Sequence, residues 1–537
     1  MKIKSPVIIL FILTPLIFGV FGPALGQSEA TQDRTREKMR LEEDEETRAL
    51  RYTEMAKKDE KRGKFSLAYG GWLTHYFDQY QNIDKSKGEE DWIKTDYYLD
   101  SRLWMRLLYS REFMFYTRIK NQYFWRPRVA TDYTGNGDDY QGPALDMGYV
   151  NIDLIGLRNK YLTSRDDYRA QTEYARTELA RAIALKQTDV RDEVLDMTLA
   201  MLEELRYAAD SQDRYKGPLL LSAGRQFFTL GRGIVYSNVH DGVQLISGVG
   251  KSMLLKTFIS QSKPREDNLD YSVPNYDKEN KRRFYGGELS YFKKDIAFYI
   301  YGLAQEDETD ASQGPQDYNY DSQYLGAGVS GKVKDNLSYW FEAISEYGKS
   351  YTDAEKVELE KKPIDAYAFD AGAKYNFDFF THPSLESELA YGSGDPDRSR
   401  VTNTSGGNTN GDDTNFMYYG VFNSGYALMP RLSNIWVVKL GGYIKPFEGF
   451  ARIGDNIVVG SKYFYYRKDR RSGGTYDIYA TEPDADIGQE IDFYIHWKMF
   501  RDLFVSARYG LFFPGKAYPI DRRDTSTSFF TKASLTF

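Results

Sequence analysis

The chain has 537 residues, a formal net charge of −7, 16% aromatic residues and no cysteine. The lack of cysteine excludes a disulfide framework and any thiolate that could bind a metal or act as a nucleophile. Beyond the N-terminus, no apolar run approaches the roughly 20 residues that a membrane-spanning helix needs. The mean hydropathy of −0.60 still permits a membrane barrel, because barrel strands need apolar side chains only at alternate positions.

The first residues have the layout of a secretory signal peptide. Lys2 and Lys4 precede the apolar run VIILFILTPLIFGVF, and the small residues Ala24 and Gly26 follow it. This order predicts a signal peptide over residues 1–26, with cleavage before Gln27. Residues 27–63 are heavily charged and helix-prone, and they are predicted to form an arm in the periplasm.

Residues 64–537 repeat one alternating pattern. In EIDFYIHWKMF, for example, Phe493, Ile495 and Trp497 share one face, and charged side chains share the other. These runs are about ten residues long, which is the length of a tilted membrane strand. The connections between them alternate between tight turns and long polar segments. The pattern predicts an all-β fold, a transmembrane antiparallel β-barrel of about 18 strands, with both chain ends in the periplasm. The chain ends on Phe537, the last residue of an alternating strand, and this ending resembles the C-terminal signal of outer-membrane barrels. Outer-membrane lipid is therefore the expected environment of the barrel.

A charged helical pattern interrupts the strands over residues 157–216. Ser164-x-x-Asp167 and Asp189-x-x-Asp192 resemble capping pairs at helix N-termini. Counting strands puts this segment after the fourth, descending strand, so we expect a helical hairpin insert on the periplasmic side. Two interpretations remain open: a self-packed spacer, or a plug or docking surface for a periplasmic scaffold protein.

Charged residues on the strand faces opposite the apolar ones are candidates for lining the lumen. The basic candidates, on predicted strands two, three and sixteen to eighteen, are Arg102, Arg106, Arg118, Lys120, Arg126, Lys498, Arg508 and Lys532. The acidic candidates, on strands eight, eleven and thirteen, are Glu288, Glu342, Glu346, Glu386 and Glu388. Because closure brings the last strands beside the first, we expect two facing walls of opposite sign that would sort charged solutes. The alternative is that inward charges pair with one another.

Other residue classes narrow the function. Most tryptophans on the predicted strands are expected in the interfacial girdles, whereas an inward Trp104 or Trp340 would stack on sugar rings. The four histidines have no metal spacing, no serine lies in a nucleophile elbow, and the acidic loop pairs lack the spacing of a calcium-binding loop. We therefore predict no enzyme activity, cofactor or metal site. No extended basic stretch indicates a nucleic-acid partner.

Two regions carry a resemblance to a known family. LLLSAGRQFFTLGRGIVYSNVHDGV, with Gly224-Arg225-Gln226, Gly231 and Asp241-Gly242, resembles the signature region of the alginate export family of outer-membrane barrels. LESELAYGSGDPDRSR, with Gly394-Asp395-Pro396-Asp397, is similar to a late strand and loop of that family. The resemblance implies an 18-stranded pore for exopolysaccharide export with an arginine-rich lumen, and by match it makes Arg225 a lumen residue. The helical insert and the acidic lumen residues depart from the family.

Three functions are compatible with these patterns. The first is an outer-membrane pore that exports an anionic exopolysaccharide such as an alginate-like polymer. The second is a solute-selective porin that takes up charged small molecules or sugars, and the third is a barrel that surrounds another component or an enzyme. The polymer or small solute would be the partner inside the lumen.

Overall fold

A computed structural model of the protein describes residues 65–82, 85–86, 93–109, 113–125, 138–154, 219–249, 252–263, 280–293, 295–309, 319–333, 336–350, 361–398, 411–447, 456–500 and 502–537. The strands are β1 (Phe65–Gln81), β2 (Ile93–Tyr109), β3 (Phe113–Trp125), β4 (Asp138–Asp153), β5 (Leu219–Leu230), β6 (Tyr236–Val249), β7 (Met253–Gln261), β8 (Arg282–Lys293), β9 (Ile296–Asp307), β10 (Asp321–Val333), β11 (Leu337–Lys349), β12 (Pro363–Asn376), β13 (Ser384–Gly392), β14 (Ile435–Ile444), β15 (Ile457–Arg467), β16 (Asp486–Lys498), β17 (Leu503–Pro514) and β18 (Ser526–Thr536). One 3-10 turn, Ile520–Arg522, precedes β18. None of the helical structure in these ranges is long and apolar enough to cross a membrane.

The eighteen strands form one closed sheet. Each strand pairs antiparallel with its neighbours along the chain, and β18 pairs antiparallel with β1. Closure leaves no continuous free edge, which is the condition for a sheet to span a bilayer. The prediction of an antiparallel barrel of about 18 strands is therefore confirmed. The predicted signal peptide, the arm over 27–63 and the helical hairpin over 157–216 lie outside the described residues.

The wall has an inner and an outer face of opposite character. On β9, Tyr299 and Tyr301 are 2% exposed, whereas the alternating Phe298 and Ile300 are 45% and 55% exposed. Other strands repeat this alternation, with polar and aromatic side chains buried inside and apolar ones exposed outside. The exposed apolar face is the surface that lipid covers in a membrane barrel.

The two ends of the barrel differ in the length of their connections. At one end β2 stops at Tyr109 and β3 starts at Phe113, and β6, β8, β10 and β16 are followed by similarly short turns. At the other end the connections are long, as between β7 and β8 or β13 and β14. Short periplasmic turns and long external loops are the usual layout of outer-membrane barrels. The β4–β5 connection, which contains residues 157–216, leaves and re-enters the wall at the short-turn end.

The tip of the β5–β6 hairpin leaves the wall and crosses the lumen. β4 pairs with β5 only as far as Arg225, and β6 pairs with β7 only from Asp241 onward. Residues 226–240, which we call the inward hairpin, are mostly buried, including the neighbouring Phe227 and Phe228. Gly224 makes the departure possible: its φ is +128°, and a Cβ there would lie 2.3 Å from the Gly148 carbonyl oxygen.

A second element enters the lumen from the β13–β14 connection. Residues 411–434, which we call the inward loop, are mostly buried and run beside the inward hairpin. The Tyr419 and Gly420 N–H groups donate to the Val235 and Ile234 carbonyls at 2.9 and 3.0 Å. The two inward elements thus form a single packed unit, and side chains from both belong to the largest buried apolar cluster, together with side chains of the wall strands.

Candidate functional site

Two arginines and two aspartates form a connected group on the inner face of β2, β3 and β4. Arg102 donates to Asp100 through Nε and Nη2, at 3.1 and 2.8 Å, and through Nη1 to Asp146 at 3.1 Å. Arg118 Nε donates to the same Asp146 carboxylate at 2.5 Å. Arg106 and the half-buried Lys120 lie on the same face beside them. Counted with Arg106 and Lys120, the group has two more cations than carboxylates, and the aspartates fix the Arg102 and Arg118 guanidinium orientations.

Aromatic rings alternate with these guanidinium groups. The Arg102 and Arg118 guanidinium carbons lie 5.7 and 5.4 Å from the centre of the Trp72 ring. Trp104 stacks on Tyr116, with ring centres 6.5 Å apart and planes at 15°. Cross-strand pairing sets the order, because Arg106 is opposite Tyr116, Trp104 opposite Arg118, and Trp72 opposite Arg102. We call Trp72, Arg102, Trp104, Arg106, Tyr116 and Arg118 the guanidinium–aromatic track.

The remaining predicted basic residues extend this surface over the neighbouring strands. Arg508 on β17 and Lys532 on β18 are buried on the inner face, next to β1 through barrel closure. The Arg508 guanidinium stacks near Tyr426 of the inward loop and Phe530, at 5.5 and 4.9 Å. Lys498 is half-buried at the short-turn end of β16. Arg126 lies outside the described residues.

On the opposite wall, Glu342 of β11 anchors the inward hairpin. Its carboxylate accepts hydrogen bonds from the Arg232 N–H and the Tyr299 and Tyr301 hydroxyls, at 2.7, 2.7 and 2.6 Å. The neighbouring Glu288 accepts from the Gly231 N–H at 2.9 Å. Gly231 has a φ of +54°, and a Cβ there would lie 2.7 Å from the Glu342 carboxylate. The glycine therefore lets the hairpin tip reach these acids.

Arg232 completes the contact of the inward hairpin with the far wall. Its Nε donates to Asp370 of β12 at 2.8 Å, and its guanidinium lies 4.6 Å from the centre of the Trp340 ring. Trp340 points inward, as the sequence allowed, but Arg232 covers its ring. It is therefore a contact for the hairpin and not a surface offered to a sugar.

Two further glutamates hold the inward loop. Glu346 of β11 accepts from the Met417 N–H at 2.8 Å and from the Tyr320 and Tyr324 hydroxyls. Glu490 of β16 accepts from three successive N–H groups of the loop, those of residues 426–428, at 2.5 to 2.9 Å. Carboxylates on β11 and β16 thus hold the loop on two sides of the barrel.

The expected pair of facing walls with opposite sign is not what the structure contains. Asp100 and Asp146 lie among the basic residues. On the other side Lys439 is paired with both Glu386 and Glu388, and Lys256 is 3.4 Å from Glu288. Many charges on each wall are therefore paired locally or hold the inward elements, although cations still outnumber carboxylates around Arg102. This is the alternative that the sequence left open, because an unpaired buried charge is costly.

The assignment of Arg225 to the lumen is wrong. In the β5–β6 pairing Arg225 is opposite Asp241, and two positions away Ala223 is opposite the exposed Val243. Since alternate residues of a strand share a face, Arg225 and Asp241 both lie on the outer face. Arg225 Nε and Nη2 donate to the two Asp241 carboxylate oxygens, each at 2.8 Å. The ion pair closes the base of the inward hairpin where it leaves the wall. The Gly224-Arg225-Gln226 motif therefore marks the place where the inward hairpin leaves the barrel wall.

The long loops also contain buried charged groups. Burial raises the pKa of Asp413 despite the nearby Arg398 guanidinium. Burial alone would raise the pKa of Asp477, but the Lys85 ammonium group, 2.6 Å away, and the Tyr479 N–H and Tyr518 hydroxyl hold it below its ordinary value. Lys85, Asp477 and Tyr518 come from three different loops, so this contact ties the long-loop end together. Within the described ranges, His, Asp and Glu side chains form no group of three suited to a metal ion.

Several site residues escaped the sequence patterns. Asp146 lies at a bulge where the β3–β4 register shifts, so simple alternation assigns it to no face. Arg232 lies in a turn, where alternation gives no information. Glu490 shares the polar face of its strand with Asp492, and only the folded loop shows that it receives backbone N–H groups.

A sequence model of the alginate export family matches residues 260–531, about half of the chain. The chain belongs to the alginate export family. With the closed eighteen-stranded sheet, this makes it an outer-membrane β-barrel pore, a family and fold of transport rather than catalysis.

Solved structures with the same general fold are only distantly similar. Pseudomonas aeruginosa OccK2 (OpdF) is 11% identical, with a TM-score of 0.48 over 87% of this chain and 98% of that one. Pseudomonas aeruginosa OpdK with vanillate is 8% identical, with a TM-score of 0.49 over 88% and 98%. Acinetobacter baumannii OccAB3 is 11% identical, with a TM-score of 0.45 over 87% and 99%. No curated protein sequence matches the chain.

Proposed function

We propose that this protein is the outer-membrane pore through which an anionic exopolysaccharide, such as an alginate-like polymer, leaves the cell. The observation that carries the proposal is the guanidinium–aromatic track on the inner face of β1 to β3. Trp104 and Tyr116 offer flat apolar surfaces on which pyranose rings stack. Its arginines, together with Lys120, outnumber the neighbouring aspartates, so this face attracts carboxylates. Both groups together match an acidic sugar better than either a neutral sugar or a simple anion.

The position of the track supports export from the periplasm. Arg106 and Tyr116 lie near the short-turn end of β2 and β3, and Trp72 and Arg102 lie further into the barrel. A polymer entering at the periplasmic mouth would meet these residues before it reaches the inward hairpin. The aspartates hold the arginines in place before the polymer arrives, which lowers the entropic cost of binding.

Current block in planar bilayers tests the proposal. Oligouronates added to the periplasmic side should interrupt the current of the wild-type pore more strongly than neutral oligosaccharides of the same length. Arg102→Gln or Trp104→Ala should weaken that block by about tenfold, the equivalent of one lost charge-assisted hydrogen bond or stacking contact. Leu103→Ala, which changes a 59% exposed outer-face residue between them, is the matched control. Equal block by both sugars would contradict the proposal.

A second candidate is a porin for charged small solutes, and the inward elements favour it. The inward hairpin and the inward loop both occupy the lumen and are held by several buried carboxylates. Elements held in this way narrow the path to solutes of small cross-section. Liposome swelling by a uronate monomer, without block by the oligomer, would favour this candidate.

The β4–β5 connection is a proposed contact for a periplasmic scaffold protein. It leaves the barrel at the short-turn end, where the polymer would enter. A protein that delivers polymer would have to act at this mouth. Whether residues 157–216 bind such a protein, gate the mouth or only act as a spacer is tested by the deletion described below.

A further inference from the structure

Three aromatic side chains form a row on the outer face of β12 to β14. Cross-strand pairing puts Phe369 opposite Tyr391, and Tyr391 opposite Trp436. The ring centres of Tyr391 and Trp436 are 4.4 Å apart, and the Phe369 ring centre lies within 5.7 Å of both. The residues that alternate with them are buried, which puts the row on the outer face: Ala368, Ala390 and Val437. We call Phe369, Tyr391 and Trp436 the interfacial row.

Three exposed arginines lie beside this row. Arg467 is the last residue of β15, opposite Trp436 and next to the buried Tyr466, so it lies on the outer face. Arg470 and Arg471 follow in the connection to β16. We call Arg467, Arg470 and Arg471 the rim arginines. Cross-strand neighbours on one face have Cβ atoms about 5 Å apart, so Arg467 continues the row with a positive charge.

The connection that carries Arg470 is fixed to the start of β14. The Arg470 N–H donates to Asn434 Oδ1 at 2.7 Å, and Asn434 Nδ2 donates to the Arg470 carbonyl at 3.2 Å. Asn434 is fully buried and comes two residues before Trp436. Its φ of +49° is a left-handed conformation that asparagine adopts more readily than most residues. These contacts hold the Arg470 backbone beside the interfacial row.

Asp469 connects the Arg470 side chain to the row. Its carboxylate accepts hydrogen bonds from the Tyr391 hydroxyl and, at 3.1 Å, from the Gly394 N–H. The same carboxylate is 3.4 Å from Arg470 Nε, and the Arg470 side chain remains 55% exposed. Because Tyr391 belongs to the row, the Arg470 guanidinium lies next to it and is still open to a ligand.

The other carboxylates nearby leave an excess of positive charge. Asp486 is opposite Arg467 in register, but its side chain packs on Gly515, after β17, where a Cβ would lie 2.7 Å from Asp486 Oδ1. The Asp486 N–H and the Lys516 and Arg471 charges lower the pKa of Asp484. Four cations, the rim arginines and Lys516, thus stand against three carboxylates, those of residues 469, 484 and 486.

We propose that the interfacial row and the rim arginines form a binding site for a phosphate-bearing lipid of the outer leaflet. Arg467 and Arg470 bind the phosphate oxygens, since planar guanidinium groups match phosphate with paired hydrogen bonds. The row contacts the part of the headgroup nearest the acyl chains, as aromatic belts do. The site lies at the long-loop end, which faces away from the periplasm in outer-membrane barrels. This proposal does not depend on which polymer or solute the pore carries.

The apolar surface beside the arginines favours a lipid over a free phosphate ion. From the row toward the short-turn end, Leu389 and Leu440 are 38% and 50% exposed on the same outer face. Acyl chains cover these side chains while the headgroup reaches the rim arginines. A free ion would gain nothing from this surface. Charge and apolar area thus lie in the order in which a lipid presents its phosphate and its chains.

Native mass spectrometry of the purified barrel in detergent micelles, titrated with diphosphorylated lipid A, tests the site. The double variant Arg467→Gln/Arg470→Gln should raise the apparent Kd at least about tenfold, the equivalent of one lost charge-assisted hydrogen bond. Lipid A without its phosphates should bind the wild type more weakly by about the same factor. Arg283→Gln is the matched control, because Arg283 is a 49% exposed arginine at the long-loop end of β8, 2.8 Å from Glu308. It should bind lipid A as the wild type does.

Four other results would overturn the proposal. Unchanged binding by the double variant would put the lipid elsewhere, and an equal loss in Arg283→Gln would show attraction by net charge alone. Tight binding of the dephosphorylated lipid would mean that the chains alone are recognised. Displacement of lipid A by inorganic phosphate at equal concentration would indicate a site for the free ion. Heat-modifiable migration on gels shows that each variant is a folded barrel. If the double variant does not fold, Arg470→Gln replaces it and should weaken binding at least about threefold.

Discussion

Glu342 receives hydrogen bonds from two β9 tyrosines and from the tip of the inward hairpin. A carboxylate with three such donors is satisfied within the protein and has little capacity left for a solute. The same is true of Glu346 and Glu490, whose acceptors are taken by the inward loop and by tyrosine hydroxyls. Single acidic residues therefore determine where the two inward elements lie, and hence the width of the lumen.

Removal of the Glu342 carboxylate should release the inward hairpin. In Glu342→Ala the Arg232 N–H and two tyrosine hydroxyls lose their acceptor, which costs about 1–3 kcal/mol for each buried group left unsatisfied. We expect a higher single-channel conductance with more frequent current fluctuations. Glu306→Ala, which removes an outer carboxylate contacted by Tyr285 at 3.3 Å, is the control. Unchanged conductance in Glu342→Ala would show that the hairpin is held without this residue.

Asp477 gives a prediction for pH. Its pKa is lowered in the folded protein, so the contact with Lys85 stabilises the loops above the ordinary aspartate pKa of about 4, and this stabilisation is lost as the pH falls through the lower folded value. At pH 7, Asp477→Asn should increase current fluctuations from loop movement. As the pH falls below the ordinary aspartate pKa and through the lower folded value, the wild-type pore should come to fluctuate as much as the variant. A difference between the two pores that does not shrink over this fall in pH would exclude this carboxylate as the cause.

Among the secondary-structure elements, the strands were predictable from the sequence and the inward elements were not. Each strand in the wall has one lipid-facing side, so its apolar residues alternate and can be counted. The inward hairpin is buried on both faces, and Phe227 and Phe228 therefore look like the continuation of a wall strand. Arg225 was assigned to the lumen by its match to the family motif, which carries no information about the face of the strand. The departure depends on the backbone conformation of Gly224, which alternation does not reveal.

Deletion of residues 157–216 tests the role of the β4–β5 connection. Asp153 and Leu220 are paired across β4 and β5, so a turn of a few residues is long enough to join the two strands. We expect the shortened protein to form a heat-modifiable barrel with altered conductance or with weaker binding to a periplasmic protein. A barrel that fails to assemble would contradict both the spacer and the gate interpretations. If the shortened barrel has the conductance of the wild type and binds the periplasmic protein equally well, only the spacer interpretation remains.

The whole molecule has a closed wall and an interior with two different sides. One side is occupied by the packed inward elements, and the other carries the guanidinium–aromatic track. The inward elements are anchored on β8 to β12 and on β16, and the guanidinium–aromatic track lies on β1 to β3. We infer that the polymer follows the track because the opposite side is filled by aromatic side chains. Alternation along the strands predicted the inner-face position of most of the basic residues of the track. It did not predict their partners, since contacts such as Arg118 with Asp146 depend on a bulge in β4.

The central claim is that this pore exports an acidic polysaccharide, and deletion of its gene in the host bacterium tests it most directly. Polymeric uronic acid should be lost from the medium of the deletion strain and restored by the wild-type gene. The double variant Arg102→Gln/Arg118→Gln should restore much less, at equal levels of folded barrel in the outer membrane. Normal amounts of extracellular acidic polymer in the deletion strain would contradict the claim.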